Sequence, residues 1–551
     1  MKNKSNIFNI RTLLFLSLIV TMFNACDKDD EGSYDKTRLF RPVLNQPLFA
    51  EGNTIVVNMG KLKGAVGYTI EVSRDTFQTI EYTIPSDTNY VEINANNVGE
   101  ELFWNTIYQV RATAHEADPQ YDSKISDFGG VRTERFPSIL NVPETYDVTD
   151  VAARVTWTPL GDAVTGIKVF ASDDLRLTDP LFPETTVTNE QFLAGEAFVE
   201  GLEPETQYQI AIYSGSTLRG WVNYTTLVAE PDYSTMANLI DLRGNEDRNA
   251  VADALDSAPE GATILVSRGL EYDAPGKRIS SSVTIRAAYG FGEQRAILWF
   301  PSNFDLEDGA TVDHIRFVGL ECRGTDWGGK YVINISKTAT LNEFSFDNCY
   351  ITNFRGIYRQ KDNPSVVNNY IINNSVVDSI GGYGVAACDK DTATLNNIKL
   401  SNSTFNHIIY FIISRNNSES ITIEDCTIAN APEKGRQLFR YRGGDGKNNV
   451  TNGVTIVNTI FGHGWNQTEG DEDYAYRGKE GMYNTNFTVN NTFTVNDFSF
   501  SSNEIGEITV GNAGYTQDAL WVDPMNSNFN FLASGFLGQY SAGDPRWRTK
   551  L

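Results

Sequence analysis

Six stretches in the C-terminal half decide the fold: Ile315-Arg316-Phe317-Val318-Gly319-Leu320, Phe344-Ser345-Phe346-Asp347-Asn348-Cys349, Tyr370-Ile371-Ile372-Asn373-Asn374-Ser375, Ile398-Lys399-Leu400-Ser401-Asn402-Ser403, Ile421-Thr422-Ile423-Glu424-Asp425-Cys426 and Val454-Thr455-Ile456-Val457-Asn458-Thr459. Each alternates and then ends in Gly, Asn or Asp, mostly followed by a small residue. An apolar residue stands three positions after each turn residue: Cys322, Ile351, Val377, Phe405, Ile428 and Phe461. Successive turn residues (319, 348, 374, 402, 425, 458) are 29, 26, 28, 23 and 33 apart. Long repeats with variable inserts suit a coil whose strands stack and whose loops vary. Alternation sends every second side chain inward, and coils stack at about 4.8 Å. The spacing predicts an internal ladder of Asn348, Asn374, Asn402, Asp425 and Asn458 at one bend, its amides paired along the stack. Cys349 and Cys426 fall on the same rung three coils apart, roughly 14 Å at that spacing and beyond disulfide reach. Both are expected to be small buried residues, as are Cys322 and Cys388.

Before the repeats, Ala250, Val251, Ala254, Leu255 and Ala258 recur at helical spacing until Pro259-Glu260-Gly261 stops them. Strands at Thr263-Ile264-Leu265-Val266 and Val283-Thr284-Ile285-Arg286 follow. This succession resembles the opening of pectin-lyase-like right-handed single-stranded parallel β-helices, in which a short N-terminal helix caps the coil. The tail, Leu520-Trp521-Val522-Asp523-Pro524 to Gly543-Asp544-Pro545-Arg546-Trp547, resembles the end of uncharacterised β-helix modules of Bacteroidota surface lipoproteins. The resemblance implies a β-helix over 239–551 with a C-terminal cap, and glycan utilisation as its setting.

Residues 38–230 read as short alternating strands between turn clusters, without a convincing helix, a β-sandwich pattern. Leu202-Glu203-Pro204-Glu205-Thr206-Gln207-Tyr208-Gln209-Ile210 resembles the tyrosine corner of fibronectin type III domains, with Trp157 upstream as core residue. Leu102, Thr106, Tyr108 and Val110 repeat that pattern without the Pro. The expectation is two such modules, 38–136 and 137–230, making the chain all-β. Trp221 is either an exposed sugar platform or an ordinary strand residue.

At the N-terminus, Lys2, Lys4 and Arg11 precede an apolar stretch, Leu13 to Phe23, too short for a comfortable span. It ends in Asn24-Ala25-Cys26, which resembles a lipobox. The acidic run Asp27-Lys28-Asp29-Asp30-Glu31 resembles a surface-export signal. These imply a leader over 1–25, lipidation of Cys26, an acidic tether over 26–37 and an outer-membrane protein facing outward. The other reading is an ordinary signal peptide with a chance cysteine.

The 551 residues carry 45 basic and 70 acidic groups, a net charge of −25. That balance argues against nucleic acid as partner. Five cysteines are too few for a disulfide scaffold. Residues 27–240 hold 15 basic and 33 acidic side chains, and 241–551 hold 27 and 37. Residues 351–450 alone are not acidic, with 11 basic and 9 acidic, and are best suited to an anionic chain. Aligning the strands that follow the bend places Lys337, Lys361, Asp389, Arg415 and Arg442 in one column, with Arg359 and Arg440 two positions earlier and Lys390 one later. Positive charge about every 5 Å approximates the spacing of sugar residues in a polyuronate.

The expected partner is therefore an extracellular acidic polysaccharide, with glycan-uptake proteins as neighbours. Lys337, Arg359, Lys390, Arg440, Arg442 and Tyr441 are the candidate binding residues. Trp327, Tyr383 and Trp465 are further stacking candidates. The enzymes of the resembled fold are largely lyases and hydrolases. β-Elimination needs a base and a group that neutralises the uronate carboxylate. Arg415 or Lys361 is the candidate base, and Asp362, Asp389 and Asp391 are candidate Ca²⁺ ligands. Gly462-His463-Gly464 matches a hydrolase tripeptide but lacks the aspartates that hydrolysis requires. The acidic loop Glu469-Gly470-Asp471-Glu472-Asp473 reads as a solvated run or a calcium loop. Binding with possible cleavage, a true lyase, and a non-catalytic adhesin or stalk all remain open at the level of sequence.

Overall fold

The computed structural model describes residues 36–549 except 275 and 445. The leader, Cys26 and the acidic run after it lie outside the described residues. Two compact units emerge. One holds the chain up to Leu140 with Ser172–Pro180 and Ala211–Trp221, and the other holds Asn141–Ala171, Leu181–Ile210 and Val222 onward.

The first unit is dominated by a seven-stranded antiparallel sandwich. One sheet runs Phe49–Glu51, Thr54–Asn58, Tyr90–Ile93; the other runs Tyr82–Ser86, Gly67–Ser73, Ile107–His115, Ser126–Arg132. Alternation in Ile107–His115 buries Tyr108, Val110, Ala112 and Ala114 against Ile55, Val57, Ile70 and Val72. The Tyr108 hydroxyl accepts the Phe103 N–H at 2.9 Å, and Thr106 Oγ1 donates to the Trp104 carbonyl at 2.9 Å. In the second sandwich Tyr208 accepts the Glu203 N–H at 2.9 Å and Thr206 donates to the Pro204 carbonyl at 2.8 Å. The corner thus works without proline, because it uses a carbonyl that Trp104 supplies equally well. Both modules are fibronectin type III-like. Trp221 packs on Phe136, ring centroids 4.9 Å apart.

The second sandwich pairs Ala152–Thr156 with Glu196–Glu200 and orders Thr185–Thr186, Gly166–Ala171, Gln207–Ser214 and Thr217–Thr225 in its other sheet. Trp157 is buried there, its indole N–H donating to the Phe192 carbonyl.

The coil is a three-faced parallel β-solenoid. Its first face is a ten-stranded sheet from Leu239–Asp241 to Phe487–Asn490, containing all six repeats. A bend leads to the second face, which includes Leu320–Gly324, Thr404–Ile408, Thr427–Ile428 and Ile460–Phe461. A further bend leads to the third, which includes Tyr331–Ile335, Ile412–Ser414, Gln437–Tyr441 and Tyr476–Glu480. Two long strands, Tyr350–Gln360 and Val376–Cys388, turn the corner and belong to both the second and third faces. The interior is layered; Phe344 lies 5.7 Å from Tyr370, which lies 5.2 Å from Tyr358.

The first bend is chemically uniform. Gly319, Asn348, Asn374, Asn402, Asp425 and Asn458 all have left-handed backbone, φ 47° to 71°, which Asn and Asp tolerate better than other residues with a Cβ. The ladder is therefore real, but its side chains are not internal. Asn374 is exposed and Asn348 and Asn402 are half-buried. A left-handed residue turns its side chain out of the corner, and the next residue points in. Cys349, Ser375, Ser403, Cys426 and Thr459 are buried, and Ser375 and Ser403 accept the backbone N–H of Cys349 and Ser375, both at 3.0 Å. All four described cysteines are free and buried. Burial raises the Cys388 thiol to about 11.

Helix Ala250–Ser257 buries Ala250, Val251, Ala254 and Leu255 against the start of the coil. At the far end Ile505 and Ile508 join the core. The tail does more than cap that end. It runs back along the second face, where Asn406 donates to the Pro524 carbonyl at 3.1 Å and Thr404 Oγ1 to Asp544 at 2.7 Å. Trp521, Phe529 and Phe536 form a separate core there with Ala429 and Ile460.

Candidate functional site

The third face stays uncovered by the tail and carries the aligned charges. Register runs Asn334, Arg359, Ala387, Ile413, Arg440, Glu480 in one column. Two residues further along each strand, on the same outward side, stand Ser336, Lys361, Asp389, Arg415 and Arg442. Lys361, Asp389, Arg415 and Arg442 share a column as aligned from sequence. Lys337 misses it by one position. Ser336 takes that place, directly after the strand end at Ile335 that pairs with Gln360, and bonds Asp305 at 2.5 Å.

Asp389 is the hub. Arg359 Nη2 reaches its Oδ2 at 2.8 Å from the preceding coil, Arg415 Nε its Oδ1 at 3.1 Å from the next, and Arg442 Nη2 its Oδ1 at 3.3 Å from two coils on. One carboxylate thus faces three guanidiniums, a local excess of two positive charges. Burial alone raises the Asp389 carboxyl, but the bonds from Arg359 and Arg415 outweigh it and hold the group below the usual carboxylate range. Burial, with Arg440 and Arg415 alongside, pushes Arg442 down. Arg359 Nε and Arg442 Nε are buried without a partner, and the exposed part of the cluster is Arg415 with the outer part of Arg442.

Tyrosine rings pack on these arginines, Tyr331 buried and Tyr383 and Tyr410 half-buried. The Arg359 guanidinium lies 4.0 Å from the Tyr383 ring and 5.8 Å from that of Tyr331, and Arg355 lies 4.8 Å from Tyr383. Tyr410 lies 5.1 Å from Arg440 and 5.2 Å from Arg436. Such stacking fixes guanidinium planes without using their hydrogen bonds. Arg440 also pairs with Glu480 at 3.0 Å.

Several expected roles do not fit this geometry. Tyr441 is no stacking platform: its ring is 1% exposed inside the coil and its hydroxyl bonds Ser418 at 2.8 Å. It lies one residue from the outward Arg440 and Arg442, so alternation sends it inward. The candidate calcium ligands do not converge. Asp389 is occupied by arginines, Asp362 pairs with Lys361 at 3.1 Å, and Asp391 lies 3.9 Å from Lys447. Among the described residues no three His, Cys, Asp or Glu side chains gather as a metal site. Neither candidate base is poised for proton removal. Arg415 donates to Asp389, and Lys361 is paired and 42% exposed. Lys390 follows the hub, half-buried.

His463 is buried, its Nδ1 2.8 Å from the Gly464 carbonyl and its ring stacked 3.9 Å from Tyr474. The acidic loop is tied by Lys434, 2.8 Å from Asp471 and 2.9 Å from Asp473. Sequence reading missed Arg355, Tyr331, Tyr410 and Arg436. The available signal was the tyrosine preceding the third-face strand in successive coils, Tyr383 and Tyr410. It also missed His407, whose Nδ1 lies 3.1 Å from Asp378 on the ridge between the second and third faces. Ser527 of the tail donates to the same carboxylate at 2.6 Å, so this pair fastens the tail. Trp465 packs edge-on against His407 at 5.2 Å, and Trp327 stands 6.3 Å from Trp465.

Residues 271–408 match the family model of a domain of unknown function, DUF4957, and residues 421–547 that of another, DUF5123. The two matches meet between Thr404–Ile408 and Ser420–Glu424, strands of one continuous coil. Neither description names an activity. No curated protein matches the chain. A crystal structure of chicken CNTN1 FN1–FN3 domains is similar at 15% identity, over 35% of this chain and 68% of that one, with a TM-score of 0.15. At that score it adds nothing to the sandwich topology, which the strand order and the two tyrosine corners establish.

Proposed function

We propose that the third face binds an acidic polysaccharide, a pectin-like polyuronate, and holds it without cutting it. The carrying observation is the Asp389 hub: three arginines from three different coils around one carboxylate, on the face left uncovered by the tail. The excess charge suits an anion, and the coil repeat suits a chain rather than a single small molecule. Arginine matches carboxylates through paired N–H donors, and the Tyr383 and Tyr410 rings supply flat apolar surface for sugar C–H groups. Capture is favoured over β-elimination because both candidate bases are paired with carboxylates. In this reading a lipid on Cys26 tethers the protein to the outer membrane, facing outward among glycan-uptake proteins.

The test is affinity electrophoresis of the full-length protein in gels containing polygalacturonate or neutral galactan, with absorbance of unsaturated products followed in parallel. Retardation by polygalacturonate alone, weakened in Arg359→Gln and without absorbance growth, supports capture. Growing absorbance makes the protein a lyase. Silence in both overturns the proposal in favour of a stalk.

A further inference from the structure

Away from the third face, the second unit holds a small cleft whose floor is built from arginines without acid partners. It opens where the second sandwich meets the start of the coil, among Tyr146, Arg268, Tyr289, Glu293, Arg295 and Asn348, and encloses about 30 Å³. Arg268 bonds only a carbonyl, that of Gly292 at 2.6 Å, and its Nε is buried without a partner. Arg295 likewise bonds no carboxylate; its guanidinium donates to Asn348 Oδ1 at 3.1 Å and to the Asn348 carbonyl. Glu293, the acid on the cleft wall, is exposed and pairs with neither. Burial lowers Arg268 and pushes Arg295 down to about 10. Neither guanidinium has a carboxylate within ion-pair distance, although Glu321 acts on Arg295 from further away and Glu293 stands on the cleft wall, in a chain of net charge −25. Desolvation makes each costly, and an anion offsets that cost.

We propose that this cleft is a binding site for a small oxyanion, the carboxylate or sulfate group of a ligand whose remainder projects from the mouth. The cleft has more room than a single water needs, enough for the oxygens of such a group to approach the two guanidiniums. The donors are the guanidiniums of Arg268 and Arg295, which line the cleft. The Tyr146 and Tyr289 rings form the walls. The site differs from the third face in admitting one anionic group rather than a chain.

The experiment is calorimetric titration of the full-length protein with galacturonate, sodium sulfate and inorganic phosphate at matched ionic strength, with galactose as the neutral control. At least one anion is expected to bind at one per chain, and Arg268→Gln to weaken it about tenfold or more, the scale for losing one charged donor. Arg268→Lys, which keeps the charge, is expected to retain part of the binding. Melting without ligand verifies that each variant is folded. Binding of galacturonate alone identifies a sugar acid, and binding of sulfate or phosphate as well identifies a general oxyanion site. No heat with any anion, or equal affinity in folded Arg268→Gln, overturns the proposal. Polygalacturonate retardation is unchanged in Arg268→Gln if this site and the third face are separate, so either proposal can fail without the other.

Discussion

The second and third faces of the coil are made partly of the same strands, since Tyr350–Gln360 and Val376–Cys388 run through both. Yet they end in opposite conditions. The second face meets the chain's own tail mostly with neutral polar groups: Thr404, Asn406, Thr427 and Asn430 are all buried, with the carboxylate of Asp378 beside them. Asn406, Asn430 and Gln517 pass hydrogen bonds from one to the next at 2.8 and 3.0 Å. The third face meets solvent with guanidiniums and tyrosines. Short amides and hydroxyls satisfy one another across the buried interface, although the Trp521 indole N–H there has no partner. The third face instead keeps the guanidiniums of Arg415 and Arg442 partly exposed.

The carboxylates follow their partners rather than the face: despite its burial, Asp378, on the tail side, is lowered by His407 and Ser527. Asp544, on the tail, is 1% exposed, and burial raises it despite Arg546. Asp389, on the open face, is lowered by its arginines.

Breaking the tail interface is expected to have the largest effect. Trp521 is fully buried in the tail core. Trp521→Ala should cost about 3–5 kcal/mol in denaturant unfolding, while polygalacturonate retardation of the folded fraction persists. Loss of both together would mean that the two faces are not independent.

The next variant acts with opposite signs. Asp389→Asn removes the charge that three guanidiniums share. Stability should fall by about 1–3 kcal/mol, while polyanion affinity rises because Arg359, Arg415 and Arg442 are released. Weaker binding would make the hub a scaffold.

The pH dependence separates Asp544 from Asp389. A raised carboxyl holds its proton longer in the folded state, so Asp544 makes stability fall as pH rises from about 3.9 to its folded value. A lowered carboxyl does the reverse: Asp389 contributes stability that is lost as pH drops below about 3.9. Asp544→Asn should flatten the first slope and Asp389→Asn the second, read from unfolding midpoints between pH 2 and 7. The smallest effect is expected of Tyr383→Ala, about 0.5–1 kcal/mol of binding from lost guanidinium positioning.

The coil, its bend and the corner tyrosines were legible because each follows from a local rule. Strand period, left-handed Asn and the Tyr108 and Tyr208 hydroxyls need no distant partner to be recognised. The direction of the Asn374 side chain was not, since it follows from the backbone angle rather than the residue type. Lys361, Asp389, Arg415 and Arg442 could be aligned because parallel coils keep register; Lys337 lies one position past that column, where Ser336 stands. The Asp389 hub itself was hidden, because pairs up to 53 residues apart, such as Arg442 with Asp389, depend on insert lengths between coils. The cover on the second face was equally hidden, since Asp544 and Thr404 are 140 residues apart.

The central claim is that the third face, and not overall charge, binds the polyanion. It is tested most directly by one matched pair of charge reversals. Arg415→Glu changes the third face. Lys399→Glu makes the same change on the first face, where Lys399 is exposed in register with Ile371 and Thr422. The dissociation constant for polygalacturonate should rise at least about tenfold, near 1.4 kcal/mol, in Arg415→Glu and stay at the wild-type value in Lys399→Glu. Equal losses in both would contradict the account, because binding would then follow net charge alone.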